Sequence, residues 1–213
     1  MKIDKKIASC SVVEPSTAPT VQYLHESLDR PEMLLGSTYK IKTPLSDHAL
    51  YVTINDIVLN QGTEHEARHP FEIFINSKAM EHFQWIVAMT RIISAVFRKG
   101  GDCTFLAEEM RSVFDPKGGY FKKGGKYMPS LVAEIGEVIE DHMRSIGLLK
   151  DEGLDEHQEK LIAEARAKHE KASNSDDSGF PSDASLCGKC GMKSVVILDG
   201  CATCLNCCDS KCG

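Results

Sequence analysis

Seven of the nine cysteines in the chain lie within its last 27 residues. Only two, Cys10 and Cys103, lie elsewhere, and Cys103 precedes an apolar segment in which we expect it to be buried. The clustered cysteines are Cys187, Cys190, Cys201, Cys204, Cys207, Cys208 and Cys212. A disulfide framework would be spread over the domain that it stabilises, so this clustering indicates a metal site with additional thiols.

Two Cys-x-x-Cys pairs provide the metal-binding pattern. Cys187 and Cys190 form the first pair, and Cys204 and Cys207 form the second after 13 intervening residues. Four thiolates at this spacing suit tetrahedral zinc. The apolar run at 194–198 between the pairs predicts a strand, and together they predict a zinc ribbon whose folding depends on the metal. An iron–sulfur cluster or a disulfide knot are the alternatives that this spacing leaves open.

Three cysteines of the tail, Cys201, Cys208 and Cys212, exceed the number that one zinc ion needs. Exposed thiols are liable to oxidation, so their presence beside a metal site suggests thiol–disulfide exchange. A cysteine pair that alternates between dithiol and disulfide carries two electrons. The spacing alone does not exclude incidental cysteines, nor a ligand set that uses Cys201 with Cys204.

Composition restricts the remaining possibilities. The net charge is −6 and the isoelectric point about 5.8, which argues against a nucleic-acid-binding protein. The sequence has no apolar run of membrane-spanning length, and its N-terminus lacks the apolar stretch of a signal peptide. We therefore expect a cytoplasmic location without membrane association.

The body of the chain predicts an α+β fold in which a small antiparallel sheet is packed by helices. Alternating segments at 37–43, 49–55 and 71–75 predict three adjacent strands. Helical periodicity predicts a long helix at 78–99, with Phe83 and Trp85 in the core, and further helices at 102–114 and 130–148. The lysine- and glycine-rich segment 117–126 between them is expected to be a solvated loop.

Changes in composition divide the chain into four parts. Residues 1–29 form an N-terminal arm, with a short strand expected at 7–13, and residues 30–150 form the α+β domain. Residues 151–185 form a charged helix and a flexible linker rich in Ser, Asp and Gly. Residues 186–213 form the cysteine-rich zinc-binding tail.

Five segments resemble the C-terminal portion of adenosylcobalamin-dependent (class II) ribonucleotide reductases. They are RPEMLLGSTYKIKTP at 30–44, followed by LYVTIND, PFEIFIN, RIISAVFRKGG and the closing LDGCATCLNCCDSKCG. The resemblance covers residues 30–148 and 186–213. The chain is too short to contain the catalytic barrel of that family, so it is similar to the small C-terminal (β) subunit of a split enzyme whose catalytic chain is separate.

The resemblance implies specific roles for the cysteines. In that family a cysteine-rich tail re-reduces the active-site disulfide that forms at each turnover, and the cysteine array both binds zinc and relays electrons. Carried onto this sequence, the array maps onto Cys187, Cys190, Cys201, Cys204, Cys207 and Cys212. With the metal ligands Cys187, Cys190, Cys204 and Cys207 taken from the Cys-x-x-Cys spacing, Cys201 and Cys212 remain as the expected redox pair. Cys208 departs from the pattern, because a glycine commonly follows the metal-binding pair at this position. The sequence therefore leaves open whether Cys208 replaces Cys201 or Cys212 in the redox pair.

The resemblance implies that the chain is an accessory subunit of an enzyme, the oxidoreductase that converts ribonucleotides to deoxyribonucleotides. We do not expect the chain to be active alone. Its partners would be the catalytic barrel subunit, which carries adenosylcobalamin, and an external dithiol reductant. The alternatives are a zinc-ribbon adaptor that binds a protein or nucleic acid without a redox role, and a regulatory protein that alters the assembly of a reductase.

Overall fold

The structure is a computed structural model that describes residues 21–25, 28–78, 83–150, 156–170, 180–181, 183–198 and 200–212. Its main sheet has three antiparallel strands in the order β1-β2-β3. They span Leu35–Ile41, Leu50–Leu59 and Ala67–Ser77. The strand expected at 7–13 and most of the predicted linker lie outside the described residues.

Pro70 lies within β3 although proline has no N–H to donate to a strand ladder. β3 is an edge strand, and the register of β2 against β3 shifts between Asn55 and Asp56, with Asp56 opposite Pro70. A bulge on an edge strand is where a sheet tolerates proline. The strand therefore continues through Pro70 and begins at Ala67, four residues before the strand that the sequence predicts at 71–75.

Three helices complete the main domain. α1 spans Phe83–Lys99 and packs on β3, α2 spans Phe105–Arg111, and α3 spans Leu131–Ser145 and packs on α2. The α3 helix begins after Ser130, whose hydroxyl accepts a hydrogen bond from the Ala133 N–H at 3.0 Å. The core between the sheet and these helices includes Val52, Ile54, Ile73, Phe97, Ile135, Ile139 and Met143.

The lysine-rich segment forms a short hairpin rather than a solvated loop. Strands β4 (Tyr120–Phe121) and β5 (Tyr127–Met128) pair with each other. The Lys122 ammonium lies 2.7 Å from a carboxylate oxygen of Glu137, and Lys126 also pairs with Glu137. These ion pairs fix both lysines against α3, which sequence patterning could not reveal because Glu137 belongs to another element.

The C-terminal ribbon is a four-stranded antiparallel sheet in the order β6-β7-β8-β9. These strands span Ser185–Leu186, Lys193–Leu198, Cys201–Cys204 and Ser210–Cys212. The ribbon meets the β4–β5 hairpin through backbone hydrogen bonds from Tyr127 N–H to Gly191 at 2.7 Å and from Lys193 N–H to Gly125 at 3.0 Å. The ribbon is therefore held against the main domain next to the turn that contains Cys187 and Cys190.

The predicted fold class is confirmed: a mixed α+β protein with small antiparallel sheets, followed by a ribbon carrying a four-cysteine cluster. A fourth helix, α4, spans Glu156–Glu170 between the two parts. The expectation that Phe83 and Trp85 lie in the core is wrong, because Phe83 is 38% and Trp85 68% exposed. None of the helices formed by the described residues is long and apolar enough to span a membrane.

Candidate metal centre

Four cysteine sulfurs of the ribbon form one compact cluster. The Sγ atoms of Cys187, Cys190, Cys204 and Cys207 all lie within 4.8 Å of one another. The Sγ atoms of Cys187 and Cys207 are 3.7 Å apart, and the Sγ atoms of Cys190 and Cys204 are also 3.7 Å apart. The structure thus brings together the four cysteines that the Cys-x-x-Cys spacing selects, and we call this cluster the cysteine cage.

Two turns of matching geometry supply the cage. In the first, the Gly191 N–H bonds to the Cys187 carbonyl at 3.0 Å, and in the second the Cys208 N–H bonds to the Cys204 carbonyl at 3.1 Å. Gly191 has φ +69° and Cys208 has φ +59°. Each turn therefore ends on a residue in the left-handed region, which glycine adopts readily and other residues rarely.

Backbone and hydroxyl donors surround the cage sulfurs. The Lys189 N–H points at the Cys187 sulfur at 3.4 Å, and the Asn206 N–H points at the Cys204 sulfur at the same distance. The Ser194 hydroxyl lies 3.1 Å from the Cys204 sulfur. Donors directed at a sulfur favour its negatively charged, metal-binding form, and Cys204 has the largest number of them.

The electrostatics of Cys204 reflect these donors. Burial raises the pKa of its thiol, but hydrogen bonds from the Ser194 hydroxyl and from the N–H groups of Asn206 and Cys207 outweigh burial and lower the pKa to about 7. Burial and the neighbouring thiols raise the pKa of Cys207 instead. Closely spaced thiols cannot all ionise without a compensating cation, and a divalent metal provides that charge.

The dimensions of the cage fit zinc. A zinc–sulfur bond of about 2.3 Å places the sulfurs of a tetrahedral site about 3.8 Å apart, close to the two 3.7 Å separations. The disulfide knot left open by the sequence is not formed here, because all four cage cysteines are thiols. A cage this small suits one ion rather than a cluster with bridging sulfides, and four thiolate ligands are compatible with zinc.

Cys201 is not one of the cage cysteines. Cys201 begins β8, and the antiparallel register places it directly opposite Cys212 on β9. Cys201 is half-buried and is disulfide-bonded. The rise of three residue steps along the strand, about 10 Å, separates Cys201 from the cage ligand Cys204 at the other end of β8. A ligand set that uses Cys201 with Cys204 therefore does not match the geometry.

Cys208 is a reduced thiol directly after the cage ligand Cys207. Its sulfur donates to the Gln158 carbonyl of α4 at 3.5 Å. The backbone of Cys208 has the left-handed conformation that Gly191 has in the first turn, so glycine would fit the position of Cys208 without strain.

Helix α4 supports the second turn of the cage. The Arg166 guanidinium donates to the Leu205 carbonyl at 3.1 Å and lies over the Phe180 ring at 5.3 Å. Ile162 on the same helix is buried. The helix therefore packs on the ribbon, although its charged sequence predicts no apolar face.

The sequence did not predict two buried polar features, a serine beside the cage and a histidine network in the main domain. Ser194, the hydroxyl partner of Cys204, occupies a buried position of an alternating strand, and a serine at such a position is a signal that could have identified it. In the main domain, His142 is fully buried between the Tyr39 hydroxyl and the Asp56 carboxylate, each at 2.8 Å. Arg68 donates to Asp56 from the other side at 2.8 Å. No local pattern predicts this network, because its members come from four different elements.

Cys103 has the environment that the sequence predicts. It is 5% exposed within the main core. Burial, together with the nearby Asp102 carboxylate, raises the pKa of its thiol to about 11. Cys103 is therefore an inert core side chain rather than part of the thiol chemistry of the ribbon.

Comparisons with known proteins agree with a reductase-associated domain in the body of the chain. Among curated proteins and among solved structures no match was found. The profile of the TSCPD domain matches residues 21–143, which is more than half of the chain. The matched region contains the three strands of the main sheet, helices α1 and α2, and helix α3 as far as Met143. This domain occurs in some ribonucleotide reductase-associated proteins. The chain belongs to the TSCPD domain family.

Proposed function

We propose that the chain is an accessory subunit of an adenosylcobalamin-dependent ribonucleotide reductase. In this proposal Cys201 and Cys212 form the dithiol that re-reduces the active site of a separate catalytic subunit. Membership of the TSCPD family supports the link to ribonucleotide reduction. The opposition of Cys201 and Cys212 supports the redox role.

The single observation that carries the proposal is the register between β8 and β9. Directly opposite residues in an antiparallel pair have Cα atoms about 4.5–5.5 Å apart, within the range of about 4.4–6.8 Å that a disulfide spans. Cys201 lies opposite Cys212 in this ladder and is disulfide-bonded. Such a pair can close and open with little movement of the backbone, as a two-electron carrier requires.

The exchange reaction balances in electrons and protons. A thiolate of the reduced pair attacks the active-site disulfide of the catalytic subunit, and the displaced thiolate takes up a proton. The second thiol of the pair loses its proton and attacks the mixed disulfide, which leaves a dithiol in the active site and a disulfide in the ribbon. An external dithiol then reduces the ribbon disulfide by the same two steps.

The cysteine cage would serve this cycle by keeping the ribbon folded. Zinc held by Cys187, Cys190, Cys204 and Cys207 would be redox-inert and would keep those thiolates from oxidation. The cage fixes the far end of β8, whereas Cys201 occupies its other end. Opening of the redox pair therefore need not disturb the metal site.

Substitution of the redox pair tests the proposal. With the catalytic subunit and a dithiol-regenerating system, Cys201→Ser and Cys212→Ser are expected to abolish multiple turnover. The first round of product, for which the catalytic subunit uses its own reduced active site, should persist. Cys208→Gly is the matched control, because glycine suits the φ of +59° at this position and removes one thiol beside the cage.

The results separate the alternatives that the sequence leaves open. If Cys208→Gly abolishes multiple turnover and Cys201→Ser does not, Cys208 belongs to the redox pair and our assignment is wrong. If multiple turnover survives in the Cys201→Ser/Cys212→Ser double variant, the ribbon is a zinc-dependent adaptor or regulator without a redox role.

A further inference from the structure

Helix α1 carries two apolar stripes, and only one of them faces the core. The inner stripe places Ile93 and Phe97 in the main core, together with the buried hydroxyl side chains of Thr90 and Ser94. On the opposite side of the helix, Trp85 is 68% and Ile92 65% exposed. Isolated exposed apolar side chains are normal on protein surfaces, but a continuous stripe along a helix marks a contact surface.

The outer stripe follows a heptad. Its residues recur at alternating steps of three and four: Trp85, Ala88, Ile92, Ala95 and Lys99. We call this set the outward seam. Large side chains at one heptad position alternate with alanine at the other, so a second helix can approach closely at each alanine and receive Trp85 and Ile92 between its own side chains.

The residues beside the outward seam define the partner further. Met89 and Val96 flank it on one side, where they are half-buried and pack against the main core. Arg91 and Arg98 flank it on the other side, and the helix has no acidic residue between Phe83 and Lys99. Arg98 also lies within electrostatic range of Glu72, whereas Arg91 is exposed. The complementary surface is therefore apolar along its centre and acidic along one edge.

A second copy of this helix does not meet that requirement. In an antiparallel pair of identical helices the flanking arginines would face each other, and in a parallel pair they would face Met89 and Val96. Neither arrangement offers a carboxylate to Arg91. Among the described residues, the other strongly charged helix, α4, is already held against the ribbon through Arg166, which donates to the Leu205 carbonyl.

We propose that the outward seam of α1 is the docking surface for an acidic amphipathic α-helix of the catalytic subunit. The inference rests on the proposed function, because it assigns the surface by which the accessory subunit is held while its ribbon reaches the active site. The helix of 17 residues is about 25 Å long and so presents just over two heptads to the partner.

The test measures binding of the full chain to the separately purified catalytic subunit by isothermal titration calorimetry. Ile92→Glu is expected to raise the Kd about 30-fold or more, as for a central apolar anchor. Arg91→Glu is expected to raise the Kd about tenfold and to reduce its dependence on salt. Leu45→Glu is the control, because it also places a carboxylate at an exposed apolar position: Leu45 is 59% exposed in the β1–β2 loop. The Kd of this variant should stay within about twofold of the wild-type value.

Four outcomes decide between the proposals. If the wild type binds and Ile92→Glu binds equally well, the outward seam is not the docking surface, and the proposed function stands. If sedimentation shows a wild-type dimer that Ile92→Glu converts to monomer, the occupant is a second copy and the proposal is wrong. If the wild-type chain does not bind the catalytic subunit, both proposals fail. Both proposals are supported if a high concentration of the Ile92→Glu variant restores multiple turnover, because this variant binds weakly but keeps its redox pair. A high concentration of the Cys201→Ser variant should not restore it, because that variant lacks the redox pair.

Discussion

Replacement of the most buried cage ligand should unfold the ribbon and leave the main domain intact. Cys204 is 1% exposed, and its sulfur accepts hydrogen bonds from the N–H groups of Asn206 and Cys207. Cys204→Ser removes one of four thiolate ligands and substitutes a hydroxyl, which is a poor ligand for zinc. The adjacent variant Cys208→Gly, which leaves the cage complete, is the control.

The magnitude follows from the size of the ribbon core. That core contains Phe180, Ala184, Val196 and Leu205. Burial of its three larger side chains contributes on the order of 5–9 kcal/mol, whereas structural zinc contributes about 10–16 kcal/mol in zinc-finger peptides. The metal is therefore the larger of the two stabilising contributions, and a ribbon that binds it poorly should not stay folded.

Zinc content and hydrogen exchange measure the effect. The wild type and Cys208→Gly should hold about one zinc per chain, the stoichiometry of a single site with four cysteine ligands, and should protect the amides of β7. Cys204→Ser should lose most of the zinc and the protection of β7, with α3 still protected. Retention of a full equivalent of zinc by Cys204→Ser, or unchanged protection of β7 after its loss, would refute the assignment of the cage as the structural centre of the ribbon.

Three further predictions concern the main domain. Burial would raise the pKa of the Glu137 carboxyl, but the ion pairs with Lys122 and Lys126 outweigh burial and lower this pKa. The ionised carboxylate therefore stabilises the folded protein at a pH above 4.5, the pKa of the unfolded chain, and this stabilisation is lost as the pH falls below that value. Glu137→Gln should therefore reduce the free energy of unfolding in urea by about 1–2 kcal/mol at pH 7, and an equal difference at pH 3 would contradict this. Cys103, with a pKa of about 11 and 5% exposure, should resist iodoacetamide at pH 8 in the folded protein and react after unfolding, as peptide mass mapping can check. His142→Ala should lower the free energy of unfolding by about 3 kcal/mol, and a loss below about 1 kcal/mol would show that the buried network relaxes around the gap.

Residue types and spacing were sufficient to predict the cage and the sheet. Two Cys-x-x-Cys pairs separated by a strand have few alternative geometries, because each pair must turn tightly to direct both sulfurs at one ion. Alternating side chains likewise identified β1, β2 and the centre of β3. The exact extent of β3 was not predictable, because the strand includes Pro70 at an edge position next to a bulge that pattern alone does not reveal.

Features that depend on packing between distant elements were not predictable. Helix α1 has two stripes of helical periodicity, and its sequence does not say which one faces the sheet, so Trp85 was wrongly assigned to the core. The ion pairs of Lys122 and Lys126 depend on Glu137 from a different element. The opposition of Cys201 and Cys212 depends on where β9 returns to the ribbon, which spacing alone did not determine.

Direct transfer of electrons from the ribbon to the catalytic subunit tests the central claim. The chain is reduced, freed of small thiols and mixed with catalytic subunit whose active-site cysteines are oxidised, and the products are quenched by alkylation and mapped by mass spectrometry. We predict one new disulfide between Cys201 and Cys212 for each active-site disulfide that is reduced, with the four cage cysteines unchanged. Reduction of the active site while Cys201 and Cys212 both remain alkylated as thiols, or no reduction at all, would contradict the account.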